Sequence, residues 1–205
     1  MKRLFSFVVL ALLSVMRTAP ALAQDQVQPP QDYYDSLLQN YGSRLCLQPE
    51  QEAPINGVAI VQQRCNGKDL FQRWHFLAKR LDFQKPGIYW ITNSGSGQCL
   101  DDRDGKTADS SPVQQWTCNT TSTTMQWKLE TVGSDPLHPT PPWGQFINMR
   151  SGKCLDVRGG SSVPGAALQI YHCTSSGTVG SGRANVAQVF QWLDTMPRLE
   201  ASSKR

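Results

Sequence analysis

The sequence is short of charge and of helical pattern. Only 18% of its 205 residues are charged, which argues against a long helical bundle or coiled coil, architectures rich in Ala, Glu, Lys and Leu. Beyond residue 23 no stretch sustains a 3.6-residue apolar period over eleven residues, Tyr33 to Tyr41 being the single candidate. There is no CxxC pair and no Cys/His cluster, so nothing suggests a zinc site, and no metal or cofactor is expected. The three histidines, His75, His138 and His172, share no spacing with a Ser, Cys or carboxylate that suggests a catalytic triad or metal ligation. Long apolar runs are missing as well, with one exception near the start. That run, Leu4 to Val15, has 12 residues, whereas about 20 are needed to span a bilayer.

The exception reads as an export signal. Lys2 and Arg3 precede the apolar run, and Ala21-Leu22-Ala23 supplies the small-x-small pattern that signal peptidase reads. Residues 1–23 are therefore expected to be removed before Gln24, leaving a protein without a membrane span in the extracellular space or periplasm. Residues 24–32 read as a flexible leader and residues 198–205 as a solvated tail. The formal charge of +4 shrinks with the signal, because Lys2, Arg3 and Arg17 leave and no acidic residue does. What remains is 17 basic residues against 16 acidic ones, a net charge of +1. No basic cluster interleaved with aromatics remains to suggest nucleic acid.

What the chain does have is a repeat. Its six cysteines, Cys46, Cys65, Cys99, Cys118, Cys154 and Cys173, form consecutive pairs separated by 19 residues each. An Asn precedes each first Cys by six (Asn40, Asn93, Asn148) and a Leu follows it by one (Leu47, Leu100, Leu155). Fourteen residues on lies a branched apolar residue, Ile60, Val113 or Leu168. Trp74 and Trp127 each fall 28 residues after their first Cys, and Trp192 falls 38 after the third, with Ser175 to Arg183 (SSGTVGSGR) accounting for the extra ten. Three homologous units follow, at about residues 33–80, 81–135 and 136–197.

Within a unit the pattern is β. Gly57 to Gln63, Pro112 to Trp116 and Ala167 to Tyr171 are short apolar-rich segments bounded by turns such as Asn66-Gly67 and Gly159-Gly160. One unit is too small to bury a core alone. Three around a common axis could do so, with Trp74, Trp127 and Trp192 pointing inward. The equal spacing pairs Cys46 with Cys65, Cys99 with Cys118 and Cys154 with Cys173, each loop contributing roughly 3 kcal/mol in the chain-entropy model.

These residues resemble the ricin B-type (QxW) β-trefoil lectins. The likeness rests on Ser96-Gly97-Gln98-Cys99-Leu100-Asp101 and Ser151-Gly152-Lys153-Cys154-Leu155-Asp156, then Gln114-Gln115-Trp116-Thr117-Cys118 and Gln169-Ile170-Tyr171-His172-Cys173. It covers about Tyr33 to Asp194. It implies an all-β trefoil of about twelve strands and one shallow sugar site per repeat. A sugar presents an apolar C–H face and a rim of hydroxyls. Trp116 and Tyr171 would stack on the face, while Asp101 and Asp156 would accept hydrogen bonds from the rim. Gln114 and Gln169, two residues before the aromatics, share their face of the strand. Repeat one has Gln48, Val61 and Gln63 at these positions and is expected to be inactive. In the family an Asn three residues before the last Trp commonly touches the ligand; here those positions hold Thr124 and Val189, and Thr124 can still donate a hydrogen bond.

The resemblance implies a secreted, non-catalytic lectin that binds galactose-type or other glycans. The alternative is the glycan- or receptor-binding subunit of a secreted multi-component toxin, similar to the A and C subunits of cytolethal distending toxins, with a toxin or enzyme as partner. Asn119-Thr120-Thr121 is also an N-glycosylation sequon. Trp90 and Trp143 are read as packing residues.

Overall fold

In the computed structural model, residues 33–78, 87–135, 138–174 and 185–194 are described. The expected signal, leader and tail, and the segment Ser175 to Arg183, lie outside them. Twelve strands are present among these residues: β1 (Tyr33–Asn40), β2 (Cys46–Pro49), β3 (Ile60–Gln63), β4 (Arg73–Ala78), β5 (Ile88–Asn93), β6 (Cys99–Asp102), β7 (Ser111–Trp116), β8 (Gln126–Asp135), β9 (His138–Asn148), β10 (Cys154–Val157), β11 (Leu168–Tyr171) and β12 (Phe190–Asp194). No helix among them is long and apolar enough to cross a membrane.

Six strands close a barrel. β1 pairs with β4, β4 with β5, β5 with β8, β8 with β9, β9 with β12, and β12 returns to β1, every pair antiparallel. Closure leaves no barrel edge open to another chain. The other six strands form three hairpins, β2–β3, β6–β7 and β10–β11, drawn together by a β7–β11 pairing and by bridges Ala59–Gln114 and Val61–Ala167. This is a β-trefoil. Each hairpin carries one disulfide, Cys46–Cys65, Cys99–Cys118 or Cys154–Cys173, with Cα atoms 4.9 to 5.1 Å apart.

The core repeats four positions threefold, all of them fully buried: Leu38, Ile91 and Phe146; Leu47, Leu100 and Leu155; Ile60, Val113 and Leu168; Trp74, Trp127 and Phe190. The last set corrects the sequence alignment. Phe190, not Trp192, occupies the third tryptophan position. It pairs with Asn40 just as Trp74 pairs with Asn93 and Trp127 with Asn148. The short 3-10 turns Leu70–Gln72, Thr123–Met125 and Val186–Gln188 also end two residues before Trp74, Trp127 and Phe190. The insertion in repeat three is therefore eight residues rather than ten, since 17 separate Cys173 from Phe190 where nine separate Cys118 from Trp127. Trp192 lies on the same strand face one pleat further on, packed against Phe76 and Phe146. Trp74 and Trp127 donate their indole N–H to the carbonyls of Leu47 and Leu100 at 2.9 and 3.0 Å, a bond Phe190 cannot make.

The buried asparagines explain why that position is kept. Asn93 Nδ2 donates to the Phe71 carbonyl and Asn148 Nδ2 to that of Thr124, both at 2.7 Å. Asn40 Nδ2 donates to the carbonyls of Val186, Ala187 and Val189. Each Asn thus holds the 3-10 turn of the preceding repeat, and Asn40 holds that of repeat three.

Tyr33 to Tyr41 is mostly strand rather than helix. A register shift between Tyr33 and Ser36, with Asp35 at φ 52°, breaks the pleat alternation, and Leu37 and Leu38 are both buried.

Candidate functional site

Each β hairpin sets the residue two after its first Cys beside a fixed position of the partner strand, a Gln in repeats two and three. Asp101 pairs in register with Gln114, Asp156 with Gln169, and Gln48 with Val61. In repeat two, Gln114 Nε2 donates to Asp101 Oδ2 at 2.8 Å and Thr124 Oγ1 donates to Oδ1 at 2.6 Å. In repeat three, Gln169 Nε2 donates to Asp156 Oδ1 at 2.8 Å, and the nearby Gln188, whose Nε2 donates to the His172 carbonyl at 3.0 Å, favours the ionised form. Both carboxylates are nearly buried, and that desolvation raises their pKa despite the donors around them. The ionised form, which accepts hydrogen bonds from hydroxyls, is lost on acidification sooner than for an ordinary Asp.

Two clefts open over these pairs. Cleft two, about 450 Å³, is lined by Asp101, Gln114, Trp116, Thr124, Asn119 and Arg150, among others. Cleft three, about 730 Å³, is lined by Asp156, Gln169, Tyr171, Arg158, Asn185 and Ala187, among others. Trp116 is 42% exposed, a free platform. Tyr171 is half-buried, its ring 4.5 Å from that of His172. The sequence-derived residues therefore converge: Asp101, Gln114, Trp116 and Thr124 in one cleft, and Asp156, Gln169 and Tyr171 in the other.

Two points differ from the sequence reading. Because Phe190 is the third core aromatic, the counterpart of Thr124 is Ala187 and not Val189, which is buried. Thr124 also spends its proton on Asp101, with Ser122 Oγ 2.7 Å away from its oxygen, and so it first orients the carboxylate. Arg158, Asn185 and Arg150 were not among the expected residues. Arg158 Nε donates to Gln169 Oε1 at 3.2 Å, whereas the Oε1 of Gln114 is buried without a partner. Asn119 Oδ1 accepts from the amide and hydroxyl of Thr121, at 3.0 and 2.8 Å.

Repeat one lacks both groups. Gln72 Nε2 donates to Gln48 Oε1 at 2.7 Å in a neutral, nearly buried contact, and Gln63 stands where the aromatics stand in the other hairpins.

Residues 70–171 match the family model of the ricin-type beta-trefoil lectin domain-like proteins. The chain carries a ricin-type β-trefoil lectin-like domain. The ricin-type fold is shared with several solved structures. A designed threefold-symmetric protein, ThreeFoil, is 24% identical with a TM-score of 0.61, over 78% of this chain and 98% of that one. The exo-beta-1,3-galactanase 1,3Gal43A from Clostridium thermocellum is 25% identical with a TM-score of 0.61, over 81% of this chain but only 31% of its own. The Macrolepiota procera ricin B-like lectin in complex with lactose is 15% identical with a TM-score of 0.55, over 82% and 98%. No curated protein sequence matches the chain.

Proposed function

We propose that this chain is a secreted, non-catalytic lectin that binds terminal sugars through clefts two and three, with repeat one inactive. The observation that carries this reading is the twofold recurrence of a donor-held carboxylate beside a solvent-facing aromatic. Asp101 with Trp116, and Asp156 with Tyr171, offer a hydroxyl acceptor and a ring platform in one cleft; Gln48 and Gln63 offer neither. The lectin-like domain and the likeness to a lactose-bound lectin support a sugar as the ligand. Each cleft is shallow, so one site alone holds a monosaccharide at about millimolar Kd, and two on one chain add avidity on a branched glycan.

A glycan array on the mature protein tests the reading. Asp101→Ala and Asp156→Ala should each remove one site, and the double variant should abolish binding altogether. Binding that survives the double substitution would refute the assignment.

The second reading is a glycan-binding subunit that works beside a toxin or enzyme partner. It draws support from the galactanase, in which the matched portion is 31% of a larger chain. Retention on cells only when partner polypeptides are supplied would favour it.

A further inference from the structure

The two clefts do not carry the same charge. Cleft two is lined by Asp101, Asp102 and Asp104 against one cation, Arg150. At the corresponding places cleft three has Asp156, Val157 and Gly159, and its lining includes Arg158. Arg158 is exposed and makes no ion pair with any described residue. Its two acceptors are neutral oxygens, Gln169 Oε1 for Nε at 3.2 Å and the Ser110 carbonyl for Nη2 at 3.4 Å. A guanidinium has five donor hydrogens, so both Nη1 hydrogens and one on Nη2 remain, the end-on fork that fits a carboxylate.

The surrounding charges leave that fork alone. Asp109 is committed to Lys153 Nζ at 2.6 Å and to His172 Nδ1 at 2.9 Å. Asp156 faces the cleft, but it is held by Gln169 and forms no ion pair with Arg158. The cleft therefore has an acceptor for hydroxyls and, separately, an unpaired donor fork for an anion. A pyranose that bears a carboxylate across the ring from a vicinal diol has matching groups.

We propose that cleft three selects carboxylate-bearing sugars, with Arg158 binding the carboxylate and Asp156 the hydroxyls. This rests on the lectin reading above, and it makes Arg158 the residue that separates the specificity of cleft three from that of cleft two.

The test uses the mature protein in an Asp101→Asn background, so that cleft three is read alone. Calorimetry would compare galacturonic acid with galactose, and sialyllactose with lactose, at low and high salt. At least one acidic sugar should bind roughly three- to tenfold tighter than its neutral match at low salt, the value of a partly exposed charge contact. That ratio should fall as salt rises. Which pair shows it identifies the source, uronate or sialoside. Arg158→Gln should bring the ratio to about one, and Arg158→Lys should restore part of it by charge alone. A ratio near one in the Arg158-containing protein, or a ratio that Arg158→Gln leaves intact, would overturn the proposal while the lectin reading stands. Failure of neutral and acidic sugars alike, here and in the protein that keeps Asp101, would overturn both.

Discussion

Clefts two and three arose from the same repeat, yet they hold the same carboxylate by different means. Asp156 is held by one amide, that of Gln169, with Gln188 close by, and Arg158 in turn fixes Gln169. In cleft two the second amide is replaced by Met125, and the hydroxyl of Thr124, one residue earlier, supplies the donor. Beneath cleft two lies a further difference. Asp102 fills the fully buried position that Val157 fills in repeat three, and neither of its oxygens has a hydrogen-bond partner. Identical backbone has thus been finished with different side chains, and the penalty for a buried carboxylate without a hydrogen-bond partner falls on repeat two and not on repeat three.

The largest difference is therefore expected from Asp102. Burial, with Asp101 beside it, pushes its pKa up to about 7. The folded state then holds the proton more tightly than the unfolded chain, so the contribution of Asp102 to stability is greatest at low pH and declines as pH rises toward 7. Between pH 5 and pH 8 Asp102 should cost on the order of 2 kcal/mol, and Asp102→Asn should remove that slope. Urea melts of the two proteins at both pH values read it directly; equal slopes would show that Asp102 is not the cause.

Making repeat two resemble repeat three at its core comes next. Trp127→Phe copies Phe190 but leaves the Leu100 carbonyl without its 3.0 Å donor and opens space in a core fitted to an indole. A loss of about 2 kcal/mol is expected in the same melts. The opposite exchange at the cleft should matter less. Gln188→Met removes the bonds to the His172 carbonyl and to the Thr174 amide and hydroxyl, but Met125 already shows that a thioether can accept the equivalent amide, from Asn119 at 3.2 Å. About 1 kcal/mol is expected. Sugar binding in cleft three should weaken with it, while that in cleft two stays unchanged.

Much of this was legible in the sequence because the informative residues sit where the backbone register is rigid. Cysteines 19 apart, with Asn, Leu and a branched residue at fixed offsets, mark one hairpin three times, and that spacing survives any drift at the surface. Gln114 with Trp116 and Gln169 with Tyr171 could be placed on one face from period-two alternation alone. Other residues had no such ruler. The eight-residue insertion let Trp192 pass for the core aromatic, because it lies one pleat from Phe190 on the same face. Arg150 reaches cleft two from the following repeat, and Asn185 follows the insertion, so no spacing inside one repeat points to either. Arg158 lies in plain register with Arg103, but Arg158 lines cleft three while Arg103 does not line cleft two. The bulge near Asp35 disguised β1 by placing Leu37 and Leu38 together.

The asparagine bonds have a consequence for how the chain can be cut. Asn40 joins the first repeat to the last in the same way that Asn93 and Asn148 join neighbours, and Ser36 lies opposite Asp194 across β1 and β12. The ring of contacts thus has no intrinsic beginning. A circular permutant with a short linker across β1 and β12, and new ends opened between two repeats elsewhere, would keep all three junctions. A single repeat expressed alone would keep none.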